Sequence, residues 1–272
     1  MGLFSKENCC LCGGKTGLLD KKTASGKVCK ECRGKLSVWF DDYRESTADD
    51  LRAQLKQKEA DLERIKTLSF TKAFGEFGVI LIDEEARVFT AFPDTSTKLF
   101  GERKTVTSID EVMELRPDLI SFDCVEDIEI DIDENAREEK RTVDGQQQSY
   151  DPPRYTYLES FNLRIKLDHP YIHSMYIPLC SGSVQIKNEG RRVKSDLGKK
   201  LAAYMLEMPG LITENMAAVY DNASLMDLFG RSPYEMPAYS FGFKCSLENR
   251  ESIRKYQYYI CMAREIERIL LG

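Results

Sequence analysis

Two pairs of cysteines near the N-terminus constrain the fold of this chain more than any other feature. Cys9 and Cys12 form one C-x-x-C pair, Cys29 and Cys32 form a second, and sixteen residues separate the two pairs. This spacing is typical of a four-thiolate zinc ribbon, in which two tight turns aim their sulfur atoms at one ion. Gly13 follows the first pair, where a sharp turn favours a residue without a Cβ. The sequence therefore predicts a Zn²⁺ site with these four cysteines as ligands.

Other uses of the same cysteines stay open at this stage. A rubredoxin-like iron site and a redox-active dithiol both use C-x-x-C pairs. Cys10 is a spare thiol that can compete as a ligand, but it does not keep the usual spacing to Cys12. Lys15, Lys30 and Arg33 lie close enough in sequence to offset the negative charge of a zinc ion bound to four thiolates. Structural zinc is the interpretation that this pattern favours.

The composition of the chain restricts the remaining possibilities. Its 272 residues are 42% hydrophobic, enough to build a core, and its net charge of −6 argues against a surface devoted to nucleic acid. No apolar run approaches the ~18–20 residues of a membrane span, and no secretory signal is visible. The other cysteines are scattered, so reduced thiols in a cytoplasm fit the pattern better than disulfides. We therefore expect a cytoplasmic protein.

The chain divides by pattern into a ribbon, a linker helix and a β-rich domain. Residues 1–40 form the ribbon, which is locally basic and ends with Trp39 and Phe40 as packing or partner contacts. Residues 41–69 are predicted to form a helix capped by Ser46 or Thr47. Its leucines recur at near-heptad spacing, and Lys58 interrupts this pattern. Such a helix can serve as a short coiled coil, but a helix lying on the next domain is the favoured interpretation. Residues 70–272 form the β-rich domain.

Short motifs of the N-terminal region carry a family resemblance. They are Gly2-Leu3-Phe4, Cys9-x-x-Cys12-Gly13, Gly17-Leu18-Leu19, Cys29-Lys30-x-Cys32 and Lys35-Leu36-Ser37-x-Trp39-Phe40. Over roughly the first seventy residues the chain resembles a bacterial family of uncharacterised proteins that begin with a four-cysteine domain of unknown function. Val38 stands where a proline is common in that family. The resemblance implies zinc and a bacterial or phage origin, and it carries over no catalytic residues.

From residue 70 onward the hydrophobic period changes from that of a helix to that of strands. We expect a hairpin from residues 78–82 and 87–92, a short helix near 108–115, and strands over 119–124, 128–133, 155–167 and 171–179. Residues 134–153 lack an apolar pattern and are predicted to be a mobile hairpin tip. Residues 190–230 look helical, 231–249 look like a loop, and 251–271 form an amphipathic helix. The predicted class is α+β, and the layout resembles a pleckstrin-homology-like domain with inserted helices.

Motifs for enzymatic chemistry are weak in this sequence. The segment from Asp131 to Asn135 begins like a calcium loop but has Ala136 where that loop needs glycine. His169 and His173, the only two histidines, are predicted to pack or to make loop hydrogen bonds, which removes most nucleophile schemes. We therefore expect a non-enzymatic protein whose zinc ribbon docks a protein partner.

The alternative to protein docking is nucleic-acid binding through the basic ribbon and a second basic cluster at 187–200. That cluster consists of Lys187, Arg191, Arg192, Lys194, Lys199 and Lys200. Basic side chains bind phosphates, and such binding weakens steeply with salt, whereas apolar protein docking does not. A solvated helix start is the simpler interpretation of the cluster.

Overall fold

The structure is a computed structural model that describes residues 8–75, 80–93, 109–180, 182–189 and 250–272. Within these residues the chain divides into two compact units. The first draws on the described residues within Met1–Ile128, Arg164–Ile177 and Leu271, and the second on those within Glu129–Leu163, Pro178–Leu270 and Gly272. Helices and antiparallel sheets occur together, which confirms the α+β class. The predicted domain boundaries and the pleckstrin-homology-like layout stay predictions.

A small hairpin and one helical turn form the ribbon of the first unit. Strands β1 (Lys21–Thr23) and β2 (Gly26–Val28) pair antiparallel, with Lys21 opposite Val28. The helical turn α1 (Lys30–Arg33) follows directly. The buried apolar side chains of the ribbon are few, among them Val28, Leu36 and Phe40.

Helix α2 (Ala48–Ile65) begins where the sequence places a cap. The Thr47 hydroxyl accepts a hydrogen bond from the Asp50 N–H at 3.2 Å, and the Asp50 carboxylate accepts one from the Thr47 N–H at 2.8 Å. This reciprocal pair is a capping box, which satisfies two amide groups that a helix start leaves open. The predicted helix within residues 41–69 is confirmed.

The apolar face of α2 is buried at both ends. Leu51 packs in one apolar cluster with the ribbon, while Leu62 and Ile65 pack in a second cluster with Leu81 and Val88 of the following strands. The helix is therefore covered by its own unit along this face. This agrees with a helix lying on its neighbours rather than with an exposed coiled-coil seam.

A four-stranded antiparallel sheet follows α2 in the first unit. Its strands are β3 (Lys72–Phe74), β4 (Ile80–Asp83), β5 (Val88–Ala91) and β6 (Ile120–Ser121), in that spatial order. Every residue of β4 and β5 is buried, as expected for central strands covered on both faces. Helix α3 (Ile109–Leu115) precedes β6 as predicted.

One predicted strand near this sheet is shorter than expected, and part of the predicted hairpin lies outside the described residues. The predicted strand over residues 119–124 is shorter, because a 3₁₀ turn at Phe122–Cys124 replaces its second half. The Ser121 hydroxyl accepts a hydrogen bond from the Asp123 N–H at 3.3 Å, which caps that turn. Gly78 and Val79, at the start of the predicted hairpin, lie outside the described residues.

The second sheet is built around two long strands. Its members are β7 (Val125–Val143), β8 (Gln146–Leu167), β9 (Ser174–Pro178) and β10 (Val184–Glu189), with spatial order β10-β8-β7 and β9 also paired with β8. Strand β10 pairs antiparallel with β8, which places Val184 opposite Glu159 and Lys187 opposite Thr156. The predicted strands near 128–133, 155–167 and 171–179 are confirmed, with β9 beginning three residues later.

The hairpin tip is much shorter than the predicted one. Residues 134–143 and 146–153 continue β7 and β8 as paired strands, and the chain reverses at Asp144-Gly145. Both residues have positive φ, at 51° and 79°, as the favoured two-residue hairpin turns require. The prediction of a tip spanning 134–153 is therefore wrong in its extent. Residues 134–139 are partly half-buried, mostly through polar side chains, and residues 140–149 are mostly exposed, so this part of the hairpin carries no apolar alternation.

Helix α4 (Arg250–Leu271) closes the second unit and confirms the predicted amphipathic helix. The Phe161 ring of β8 contacts Tyr256 edge-on at 4.8 Å between ring centroids and stacks on Tyr259 at 5.2 Å. The predicted helical segment at 190–230 and loop at 231–249 lie outside the described residues. Among the helices that the structure describes, none is long and apolar enough to span a membrane.

Candidate metal centre

Two backbone turns present the four cysteines. The Cys9 N–H donates to the Gly14 carbonyl at 2.7 Å, and the Gly13 N–H donates to the Cys9 carbonyl at 2.9 Å. Gly13 has φ 71°, which favours glycine, so the predicted reason for this residue is confirmed. In the second turn Cys29 is the N-cap of α1, and its carbonyl accepts from the Arg33 N–H at 2.9 Å. Each turn therefore holds its pair of sulfur atoms on the same side.

The two turns bring the sulfur atoms of Cys9, Cys12, Cys29 and Cys32 to one point. All four Sγ atoms lie within 4.8 Å of one another, and those of Cys12 and Cys29 are 3.8 Å apart. A disulfide needs about 2.0 Å, so these are separate thiols. A tetrahedron with Zn–S bonds of about 2.3 Å has edges of about 3.8 Å. The donor set and its spacing therefore fit a tetrahedral metal ion.

Backbone N–H groups also point at the cluster. The Cys29 N–H donates to the Cys9 Sγ at 3.3 Å, and the Cys32 N–H donates to the Cys29 Sγ at 3.5 Å. Burial works to raise the pKa of Cys9, but hydrogen bonds from the backbone of Cys29, Cys12 and Leu11 outweigh it and lower that pKa to about 6. Such donors stabilise a thiolate, which is the form that binds metal.

The Cys32 thiol is in a different electrostatic state from that of Cys9. Burial raises the pKa of Cys32, and the neighbouring sulfur atoms of Cys12, Cys29 and Cys9 raise it further. Several thiolates packed together repel one another, so their combined deprotonation requires a cation among them. The four cysteines therefore have the chemistry expected of metal ligands and not that of isolated, unreactive thiols.

The cluster belongs to the core of the ribbon. Cys9, Cys29 and Cys32 are buried and Cys12 is exposed, so the ligand set reaches the surface at one corner. The side chains packed with them are Val28, Leu36, Phe40, Tyr43 and Leu51. An ion held by the cysteines would therefore connect the two turns to the apolar cluster that includes the start of α2.

The spare thiol is not part of the cluster. The Cys10 Sγ lies 3.8 Å from the Thr23 hydroxyl, and the Cys10 carbonyl accepts from the Arg52 guanidinium at 3.2 Å. The structure thus groups Cys9 rather than Cys10 with the other three cysteines, as the spacing predicted.

The two aromatic residues at the end of the ribbon have different surroundings. Phe40 is buried, and its ring lies 4.5 Å from the Tyr43 ring between centroids, so it is a packing residue. Trp39 is half-buried. The most exposed large apolar side chains among the described ribbon residues are Leu18 and Leu19, at 81% and 91%, while Val38 beside Trp39 is 59% exposed. In the sequence this Leu-Leu pair stands out only as part of the family motif Gly17-Leu18-Leu19.

The other candidate residues do not form a site in the described part of the chain. Asp131 and Asn135 lie within the continuous strand β7, so no calcium loop is present there. His173 contacts the Asp42 carboxylate at 2.8 Å, and the His169 ring packs edge-on against Tyr171. Lys187 is exposed on β10. The other members of the basic cluster, Arg191, Arg192, Lys194, Lys199 and Lys200, lie outside the described residues.

A buried ion pair joins the ribbon, α2 and the segment before β6. The Lys58 ammonium lies 3.3 Å from both oxygens of Asp118, and the Ser37 hydroxyl donates to the same carboxylate at 2.7 Å. Both charged side chains are almost fully buried. Burial lowers the pKa of Lys58, and the Asp118 charge opposes that shift. The lysine that interrupts the leucine pattern of α2 is therefore part of the core.

A buried carboxyl pair occurs in the second unit. Glu159 on β8 is 0% exposed and lies beside Glu134 on β7. Both Glu159 oxygens and the Glu134 Oε2 are buried without a hydrogen-bond partner among the described residues. Burial raises the pKa of Glu159, and the Glu134 charge raises it further, to about 8. Glu159 therefore keeps its proton at neutral pH.

Comparison with known proteins supports the N-terminal assignment. Residues 7–54 match the model of a family described as a domain of unknown function (DUF4428). The match contains all four clustered cysteines and ends inside α2, and it covers less than a fifth of the chain. No curated protein and no solved structure matches the chain. The four-cysteine cluster and the family match together fit a zinc-ribbon-like N-terminal domain.

Proposed function

We propose that Cys9, Cys12, Cys29 and Cys32 bind one Zn²⁺ that holds the ribbon together. The observation that carries this proposal is the approach of all four Sγ atoms to within 4.8 Å of one another. Four thiolates in a tetrahedral arrangement are typical of structural zinc, which completes its coordination with protein ligands and leaves no position for a substrate. The metal would then supply folding free energy to a ribbon with little core of its own.

We further propose that the ribbon docks a protein partner and that the protein acts as a non-enzymatic adaptor. Leu18 and Leu19 support this proposal, because two adjacent leucines exposed at 81% and 91% are costly to leave in water. The turn that carries them is closed by a hydrogen bond, since the Asp20 carboxylate accepts from the Gly17 N–H at 2.7 Å. A turn that is closed before binding loses less entropy when it enters an apolar cleft.

The test is a quantitative capture of partners from the native host, followed by binding measurements with the purified partner. The full chain is compared with a Leu18→Ser/Leu19→Ser variant. The matched control replaces Ile109 and Leu115, two exposed apolar residues of α3, with serine. We expect only the Leu18→Ser/Leu19→Ser variant to lose the partner. Nuclease treatment should leave recovery of the partner unchanged. Equal recovery by the tip variant and the full chain contradicts docking through the Leu18-Leu19 tip.

Nucleic-acid binding is the second candidate, because several basic side chains of the ribbon are exposed. They are Lys15, Lys21, Lys22, Lys30 and Lys35. Phosphate binding by these side chains predicts recovery that nuclease abolishes and an affinity that falls steeply with salt. Apolar docking predicts neither result, so the same capture experiment separates the two functions.

We also propose a bacterial cytoplasm as the setting of this protein. The resemblance of the N-terminal motifs to a bacterial family supports the origin. None of the eight described cysteines is in a disulfide, which agrees with a reducing compartment. The pleckstrin-homology-like layout of the β-rich region belongs to the same set of proposals, supported by antiparallel strands followed by the closing helix α4.

A further inference from the structure

A groove of about 490 Å³ lies in the first unit, and neither the four clustered cysteines nor Leu18 and Leu19 line it. Its lining comes from the segment after the ribbon, the first half of α2, and the turn before β9. The lining includes Phe40, Asp42, Glu45, Asp50, Leu51 and Tyr171. The volume lies within the range of sites that hold a small molecule or a few side chains of a partner.

The apolar part of this lining includes two aromatic rings, those of Phe40 and Tyr171, which are held by packing. Phe40 and Leu51 are buried in the ribbon cluster, and Tyr171 packs against the same cluster. The Tyr171 ring is also held by its edge-on contact with His169 at 4.4 Å between centroids. Aromatic rings fixed in this way offer flat surfaces to the methylene stem of a long side chain or to a guanidinium group.

The charged part of the lining is entirely acidic. It contains Asp42, Glu45 and Asp50, and no lysine or arginine lines the groove among the described residues. Asp42 contacts His173, and Asp50 belongs to the cap of α2. Glu45 is exposed and has no hydrogen bond or ion pair among the described residues. The groove therefore has a negative rim with one carboxylate free to bind a cation.

We propose that this groove binds a basic, extended segment of a protein partner by taking in an arginine or lysine side chain. A guanidinium group fits because it pairs with carboxylates while its plane stacks on an aromatic ring. The negative rim also favours the approach of basic segments over acidic ones. This binding is separate from docking through the Leu18-Leu19 tip and does not depend on it.

The proposal is tested with a fluorescent, end-capped peptide that alternates arginine and leucine. Its anisotropy is followed during titration with the zinc-loaded full chain, and a peptide with citrulline in place of arginine tests the role of charge. The variant Asp42→Asn/Glu45→Gln removes two rim charges. A second variant, Tyr171→Leu, removes the aromatic surface and keeps the charge. We expect each variant to weaken arginine-peptide binding at least about tenfold.

A charge-matched control tests whether the peptide is attracted only by the net negative charge of the protein. Glu59→Gln/Glu114→Gln removes two exposed carboxylates outside the groove and is expected to bind the peptide as tightly as the unmodified chain. The Leu18→Ser/Leu19→Ser variant is expected to bind equally well, which separates this proposal from docking at the tip. The proposal is overturned if the rim variant and the charge-matched control bind alike, or if the citrulline peptide binds as well as the arginine peptide. Equal affinity for free spermine would also overturn it in favour of a small-cation site.

Discussion

Replacing Glu159 with glutamine should make the second unit more stable at alkaline pH. Glu159 is fully buried beside Glu134, and its pKa is raised from the ordinary value of 4.5 to about 8, first by burial and then by the Glu134 charge. The folded chain therefore keeps a proton that the unfolded chain releases at lower pH. The contribution of the protonated Glu159 carboxyl to the free energy of unfolding is fully present below pH 4.5 and is lost as the pH rises through 8.

The size of this effect follows from the shift in pKa. Each unit of pH between the two values costs about 1.4 kcal/mol of stability, so the free energy of unfolding should fall by about 2 to 3 kcal/mol between pH 6 and pH 8. Glutamine has no proton to lose and its amide N–H can donate to Glu134. We therefore expect Glu159→Gln to flatten this pH dependence and to exceed the unmodified protein in stability at pH 8.

Urea unfolding at pH 6, 7 and 8, with zinc and reductant held constant, measures this effect. Hydrogen exchange of peptides from β7, β8 and α4 assigns it to the second unit. Glu138→Gln is the matched control, because it removes a nearby carboxylate on β7 that does not belong to the buried pair. The reasoning is refuted if the unmodified protein is equally stable at pH 6 and pH 8, or if Glu159→Gln keeps the same slope.

Three further substitutions test the packing of the fold, each by urea unfolding. Asp118→Asn leaves the buried Lys58 charge without its counter-ion and should lower the free energy of unfolding by about 3 to 5 kcal/mol. A Lys58→Met/Asp118→Leu double variant removes both charges and should recover most of that stability. An equal loss of stability in both variants contradicts the buried-charge argument. Gly145→Ala places a Cβ at φ 79° and should cost about 1 kcal/mol, and no loss would argue against the two-residue turn. Thr47→Ala should cost about 1 kcal/mol while Thr47→Ser is nearly neutral, and equal losses would exclude the hydroxyl cap.

Local signals in the sequence were enough to predict the candidate metal centre. The C-x-x-C pairs identify Cys9 rather than Cys10, because two sulfur atoms on one tight turn need that spacing, and the structure groups the same four residues. The start of α2 was equally predictable, since Thr47 is a good N-cap and Asp50 stands at the third helical position. In both cases neighbouring residues in the sequence determine the geometry.

The features that the sequence analysis missed depend on distant residues or lack a buried face. Lys58 interrupts a leucine pattern, and only Asp118, sixty residues later, makes its burial acceptable. The β7–β8 hairpin is exposed on both faces near its tip, so hydrophobic periodicity could not identify it. The Asp144-Gly145 dipeptide was the available signal, because this pair favours a two-residue hairpin turn.

The most direct test of the central claim is the metal content of the full chain by native mass spectrometry. The protein is purified under reducing conditions and then supplied with zinc and ferrous iron in equal amounts. We predict one bound zinc ion in the unmodified chain and in Cys10→Ser, and none in Cys29→Ser, whose cluster lacks one of its four thiolates. Zinc retained by Cys29→Ser, or iron bound in preference to zinc, would contradict a structural zinc ribbon.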